Sequence, residues 1–154
     1  MRHAAVETLG NLHPEALALH ADAIVGVLAD PIVSVRKEAV QTLFNLDQPA
    51  LAQHAGAITG VLADNNDDLR CMAVNLFSFL DEAELKLHAG AIVGVLKDGN
   101  ARVRHSAVKI LGMLDKAVLT LHAGAIKNAL VDSDAEMLHA ATVVLRKLDP
   151  VANH

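Results

Sequence analysis

Apolar positions in this chain fall three and four residues apart. Leu17, Ala21, Ile24 and Leu28 lie on one face of a helix by that spacing, and Val35, Ala39, Leu43 and Leu46 do the same for a second helix. Between the two stripes lies ADPIVS, where Asp30 can cap free amides and Pro31 suits a first helical turn. NNDD and DGN, equally turn-forming, hold the same place further on. The unit is a helical hairpin.

The hairpin recurs without an insertion. His20, His54, His88 and His122 each stand 34 residues after the last, as do Asp30, Asp64, Asp98 and Asp132, Ile24, Ile58, Ile92 and Ile126, and Ala39, Ala73, Ala107 and Ala141. Arg2, Ala5, Val6, Leu9 and Leu12 match Arg36, Ala39, Val40, Leu43 and Leu46, so the chain opens halfway through a unit. Nine helices are predicted, over 1–12, 15–29, 32–46, 49–63, 66–80, 83–97, 100–114, 117–131 and 134–148. They form a half repeat, 1–12, and four repeats, 15–46, 49–80, 83–114 and 117–148, in a single domain over 1–154. A hairpin cannot bury both faces alone, so successive hairpins are expected to stack into a curved all-α solenoid.

Composition narrows the function. The chain is 53% hydrophobic but only 2% aromatic, so its core must be built from Ala, Val, Leu and Ile. A net charge of −5 argues against a phosphate-binding surface, and nucleic acid is not an expected partner. The apolar runs, such as AIVGVLA at 23–29, are far shorter than the ~20 residues of a membrane span, and no membrane partner is expected. One cysteine, Cys71, excludes an intramolecular disulfide, and MRHAAVETLG lacks the pattern of a secretory signal, which points to a soluble cytoplasmic protein.

The segment DPIVSVRKEAVQTLFNL at 30–46, echoed at 64–80 and 98–114, resembles the second half of a HEAT or HEAT-like repeat. The resemblance covers nearly the whole chain and implies a right-handed α-solenoid of about four helical hairpins plus one leading helix. It also implies a structural ladder of turn aspartates and arginines that ties neighbouring repeats, here Asp30 with Arg36, Asp64 with Arg70 and Asp98 with Arg104. In the last unit Asp132 persists but Leu138 replaces the arginine. Tetratricopeptide and ankyrin repeats have similar periods, but their signature residues find no match. Family membership implies scaffolding and protein recognition for the most part, with a few enzymes on the same fold.

Of the repeating histidines, His20, His54, His88 and His122, the first falls about 40° around the helix from Ile24 and about 20° from Val27, so they are expected to sit at the edge of the buried stripe and join the structural ladder. Successive layers about 10 Å apart cannot bring them to one metal ion. The same spacing opposes a metal site from Cys71, His105 and His139, which share one column and are expected on a solvated surface. DNNDD at 64–68 reads as a loop and helix cap, because a calcium loop needs further acidic positions.

The second helices are expected to line a concave surface whose outward columns differ from repeat to repeat, as a specific binding surface requires. The candidate partner-binding residues there are Lys37, Gln41, Phe44, Met72, Phe79, His105, Lys109 and Met113. Phe44, Met72, Phe79 and Met113 either face a partner or rotate into the core; Phe77 is core. Gly26, Gly56, Gly60, Gly90, Gly94 and Gly124 lie on the outward face of the first helices, open either to close approach by another chain or to tolerated drift. The terminal helices lack polar outer faces, so either the array continues or its open ends self-associate.

The function read from the sequence is a non-enzymatic protein-protein interaction scaffold binding a protein partner on the concave second-helix face, with no cofactor and no metal. The competing readings are a HEAT-like-fold enzyme or lyase subunit and a structural fragment of a longer array. No Ser-His-Asp order, paired carboxylates or phosphate loop supports the enzyme.

Overall fold

A computed structural model describes residues 1–131 and 134–149, and every regular element among them is helical. The described residues gather into two compact units, Met1–Leu80 and Asp81–His154, divided at a repeat boundary.

The first unit holds α1 (Arg2–Gly10), α2 (Pro14–Ala18), α3 (Ala21–Gly26), α4 (Val33–Leu43), α5 (Gln48–Gln53), α6 (Ala55–Val61) and α7 (Asp67–Leu76), which ends in a 3₁₀ turn, Phe77–Phe79. Helix α4 packs between α1 and α7, while α3 covers α4 and α6 covers α7. The second unit holds α8 (Glu82–Val95), α9 (Ala101–Leu111), α10 (Lys116–Leu121), α11 (Ala123–Val131) and α12 (Ala135–Leu148). There α9 packs on α8 and α12, and α10 and α11 cover α12.

The aliphatic stripes form the cores. Leu17, Ile24, Val35, Leu43, Leu51 and Ile58 are buried in the first unit, as are Leu85, Ile92, Val103, Leu111, Leu119 and Ile126 in the second. Ala39, Ala73, Ala107 and Ala141 are fully buried, because a larger side chain would hold the close-packed second helices apart. Asp47, Asp81 and Asp115 cap the first helices, accepting from the N–H groups of Ala50, Glu84 and Val118. In the DNNDD loop Asn66 caps α7 through the Leu69 N–H.

One expectation is corrected. The first helices predicted over 15–29, 49–63 and 117–131 are each broken in two, and only the one within 83–97 runs unbroken, as α8. The break falls at the repeating histidine. His20, His54 and His122 leave the helical region with φ between −113° and −108°, and their N–H groups turn back three residues, to Leu17, Leu51 and Leu119. Local propensity separates the cases. The broken segments open PEALA, QPALAQ and KAVLTL, whereas α8 opens EAELKL, which has two glutamates in its first turn and a Glu82–Lys86 pair at 3.5 Å.

Candidate functional site

The second-helix residues singled out from the sequence divide between the two units. In the first, Lys37 and Gln41 lie on α4, Phe44 caps its end, Met72 lies on α7 and Phe79 closes the 3₁₀ turn. Gln41 is exposed, and Phe44 and Met72 are half-buried. The Phe79 ring is 54% exposed and meets Phe44 edge to face, with centroids 5.7 Å apart and planes at 85°. Lys37 reaches Asp68 on α7 at 2.9 Å. In the second unit His105 and Lys109 lie on α9 and Met113 follows it. His105 Nδ1 stands 3.8 Å from Glu136, Lys109 is exposed, and Met113 is 47% exposed.

The repeat position of Phe79 and Met113 is held elsewhere by hydrogen-bond donors. Asn45 donates to the Gly10 carbonyl at 3.2 Å, and Lys147 donates to Gly112 and Leu114 at 2.6 and 2.8 Å. Gly10 and Gly112 each close a preceding second helix, whose last carbonyls lack helical partners. The donor sits opposite a glycine in both cases, and Phe79 sits opposite Phe44.

The turn aspartates and arginines work in two directions. Arg36, Arg70 and Arg104 each donate Nη1 to the backbone carbonyl of their own repeat's turn aspartate, Asp30, Asp64 and Asp98, all at 2.8 Å. In the first unit the carboxylates of Asp30 and Asp64 are engaged by the preceding repeat. Arg36 grips Asp64 with two parallel bonds, Nε at 2.8 Å and Nη2 at 3.0 Å, and Arg2 reaches Asp30 at 2.7 Å. Burial pushes the Asp64 carboxyl up, but the Arg36 bonds, the Asn66 N–H and the Arg70 charge together hold it below the ordinary carboxylate range. The Asp64 hydrogen bond raises Arg36 in turn. Leu138 is partly exposed where the ladder arginine is missing, and Asp132 lies outside the described residues.

The histidine column occupies the joints at His20, His54 and His122, while His88 lies inside α8. His20 is exposed, and His54, His88 and His122 are half-buried. His54 Nε2 lies 3.8 Å from Asp22 of the preceding repeat, and an added methyl at Gly90 would touch the His122 ring at 3.7 Å. Among the described residues no three His, Cys, Asp or Glu side chains gather closely enough to hold a metal ion. The expectation for Cys71 is corrected: it is buried, not solvated. The long side chains of Lys37 and His105 climb from the same half-covered position to solvent, and the short thiol does not.

An open cleft of about 510 Å³ runs between the turns of the first unit's two repeats, walled by Val25, Pro31, Ala57 and Gly60. Its polar edge is Arg36 with Asp64, already bonded to each other. Leu19, Leu87 and Leu121 escaped the sequence reading and are strongly exposed. Their signal is an apolar residue about 140° around the helix from the buried isoleucine column, in three of four repeats.

No protein-family model matches the chain, and no curated protein does. Solved structures do. An engineered protein from a structural genomics consortium superposes with a TM-score of 0.74 at 15% identity, over 96% of this chain and 73% of its own. The designed armadillo repeat protein YIII(Dq)4CqI gives 0.66 at 16% identity, covering 96% of this chain and 76% of that one. A second, YIII(Dq.V1)4CPAF, gives 0.63 at 15% identity over 94% and 73%, and was solved in complex with the peptide (KR)4. The chain has the all-α fold of a helical repeat solenoid. Among the described residues no helix is long and apolar enough to cross a membrane.

Proposed function

We propose that the protein is a non-enzymatic, HEAT-like interaction scaffold that holds a basic peptide segment of a protein partner on its second helices. The exposed Phe79 ring, propped edge-on against Phe44, carries this reading. Such a ring is costly in water and suits the aliphatic stem and cation of an arginine or lysine. Charge agrees with it. Residues 1–80 contain four Lys and Arg against nine Asp and Glu, whereas residues 81–154 contain nine of each. The structural neighbour bound to (KR)4 supports a basic peptide as the ligand class. The Asp–Arg columns favour the HEAT-like name, and the three-helix layout of the broken repeats leans toward armadillo. The lone thiol, Cys71, suits a reducing cytoplasm.

The test is fluorescence anisotropy of a labelled (KR)4 peptide against the full chain, with Phe44→Ala/Phe79→Ala as comparison and circular dichroism to verify folding. Saturable binding at 150 mM salt that weakens about tenfold or more in the variant supports the proposal. Equal binding by the folded variant, or none by the parent, refutes it.

A further inference from the structure

Helix α8 carries an exposed face of small and apolar residues. Leu87, Gly90, Ala91 and Gly94 are all exposed, and Leu87 stands 74% free. Beside this knob the surface is open: an added methyl at Gly94 would meet nothing within 4 Å, and one at Gly90 only the His122 ring. Lys86 is committed to Glu82 at 3.5 Å and to Asp115 at 3.0 Å. Glu84, near the start of the helix, and Lys97, just past its end, have no ion-pair partner among the described residues.

These positions complement one another about the point between Gly90 and Ala91. A two-fold axis there sets Leu87 opposite Gly94 and Glu84 opposite Lys97, and does so twice, as an isologous contact must. We propose that α8 packs antiparallel against α8 of a second copy of this chain, with each Leu87 set over Gly94 of the partner copy and Glu84 paired to Lys97 across both ends. Without side chains at positions 90 and 94 the two backbones can approach closely, and antiparallel packing also opposes the helix dipoles. Leu121, 81% exposed and next to the His122 that touches the Gly90 side, widens the apolar strip.

The other repeats lack this combination. Their corresponding helices are broken at the histidine, and the places of Glu84 and Lys97 are taken by Ala50 and Ala63 in one repeat and by Val118 and Val131 in another. One helix about 21 Å long covers less than a standard interface. The dimer is therefore weak, with a dissociation constant on the order of 100 µM. It uses neither the second helices nor the peptide-binding residues.

Sedimentation equilibrium of the full chain, from about 10 µM to 1 mM at low salt, decides the matter. The parent is expected to dimerise reversibly, and Leu87→Asp to remain monomeric with an unchanged thermal melt. Glu84→Lys and Lys97→Glu should each weaken the dimer about tenfold, because they set like charges together, and Glu84→Lys/Lys97→Glu should restore it. A parent that stays monomeric throughout overturns the proposal, as does a dimer indifferent to Leu87→Asp or a double variant no stronger than the singles.

Discussion

Lys147 sets its ammonium on the carbonyl oxygens of Gly112 and Leu114, at 2.6 and 2.8 Å, and so closes the C-terminal end of α9 from the neighbouring repeat. A cation at a helix C-terminus is favoured by both the dipole and the unpaired carbonyls. Lys147→Met keeps the stem and removes the donor. It should lower unfolding stability by about 1–2 kcal/mol, read as an earlier urea midpoint at unchanged slope.

The Arg36–Asp64 clasp gives stability a pH dependence of defined sign. Asp64 titrates below its unfolded value of about 3.9, so its contribution is fully present above that pH and fades as acid carries the pH through the lower folded value. Asp64→Asn should cost about 2–3 kcal/mol at pH 7, where it leaves the partly covered Arg36 charge without its carboxylate. The two proteins' melting curves should draw together as the pH falls and acid protonates Asp64; a gap that does not narrow on acidification would contradict this account.

The rings of Phe44 and Phe79 should couple energetically. Phe44→Ala, Phe79→Ala and the double variant, measured by urea unfolding, should give an interaction term of about 0.5–1.5 kcal/mol. Additive single effects would mean the two rings are merely neighbours.

Gly56 and Gly60 lie within α6 with no close neighbour for an alanine methyl to strike. Gly56→Ala and Gly60→Ala should each raise stability by about 0.5–1 kcal/mol, through helix propensity and a less free unfolded chain. A lower melting temperature in either would reveal a close approach at that glycine.

The 34-residue period and the apolar stripes made the all-helical repeat architecture legible, since burying Ile24 or Leu43 leaves little choice of face. The breaks at His20, His54 and His122 were not legible. Their 3.6-residue rhythm continues across the joint, and only weaker propensities separate them from α8. Cys71 misled because helical angle records where a side chain starts, while exposure depends on how far it reaches. The Phe44–Phe79 contact joins different columns of the repeat, so comparing equivalent positions could not foretell it.

The position held by Asn45, Phe79, Met113 and Lys147 is used in two ways. As a donor it stitches one layer to the next; as an exposed apolar group it offers a foothold to something outside the chain. Each foothold gained gives up a hydrogen bond between layers. A sequence that stacks such repeats must therefore divide them between cohesion and recognition, and the choice is written in a single letter per repeat.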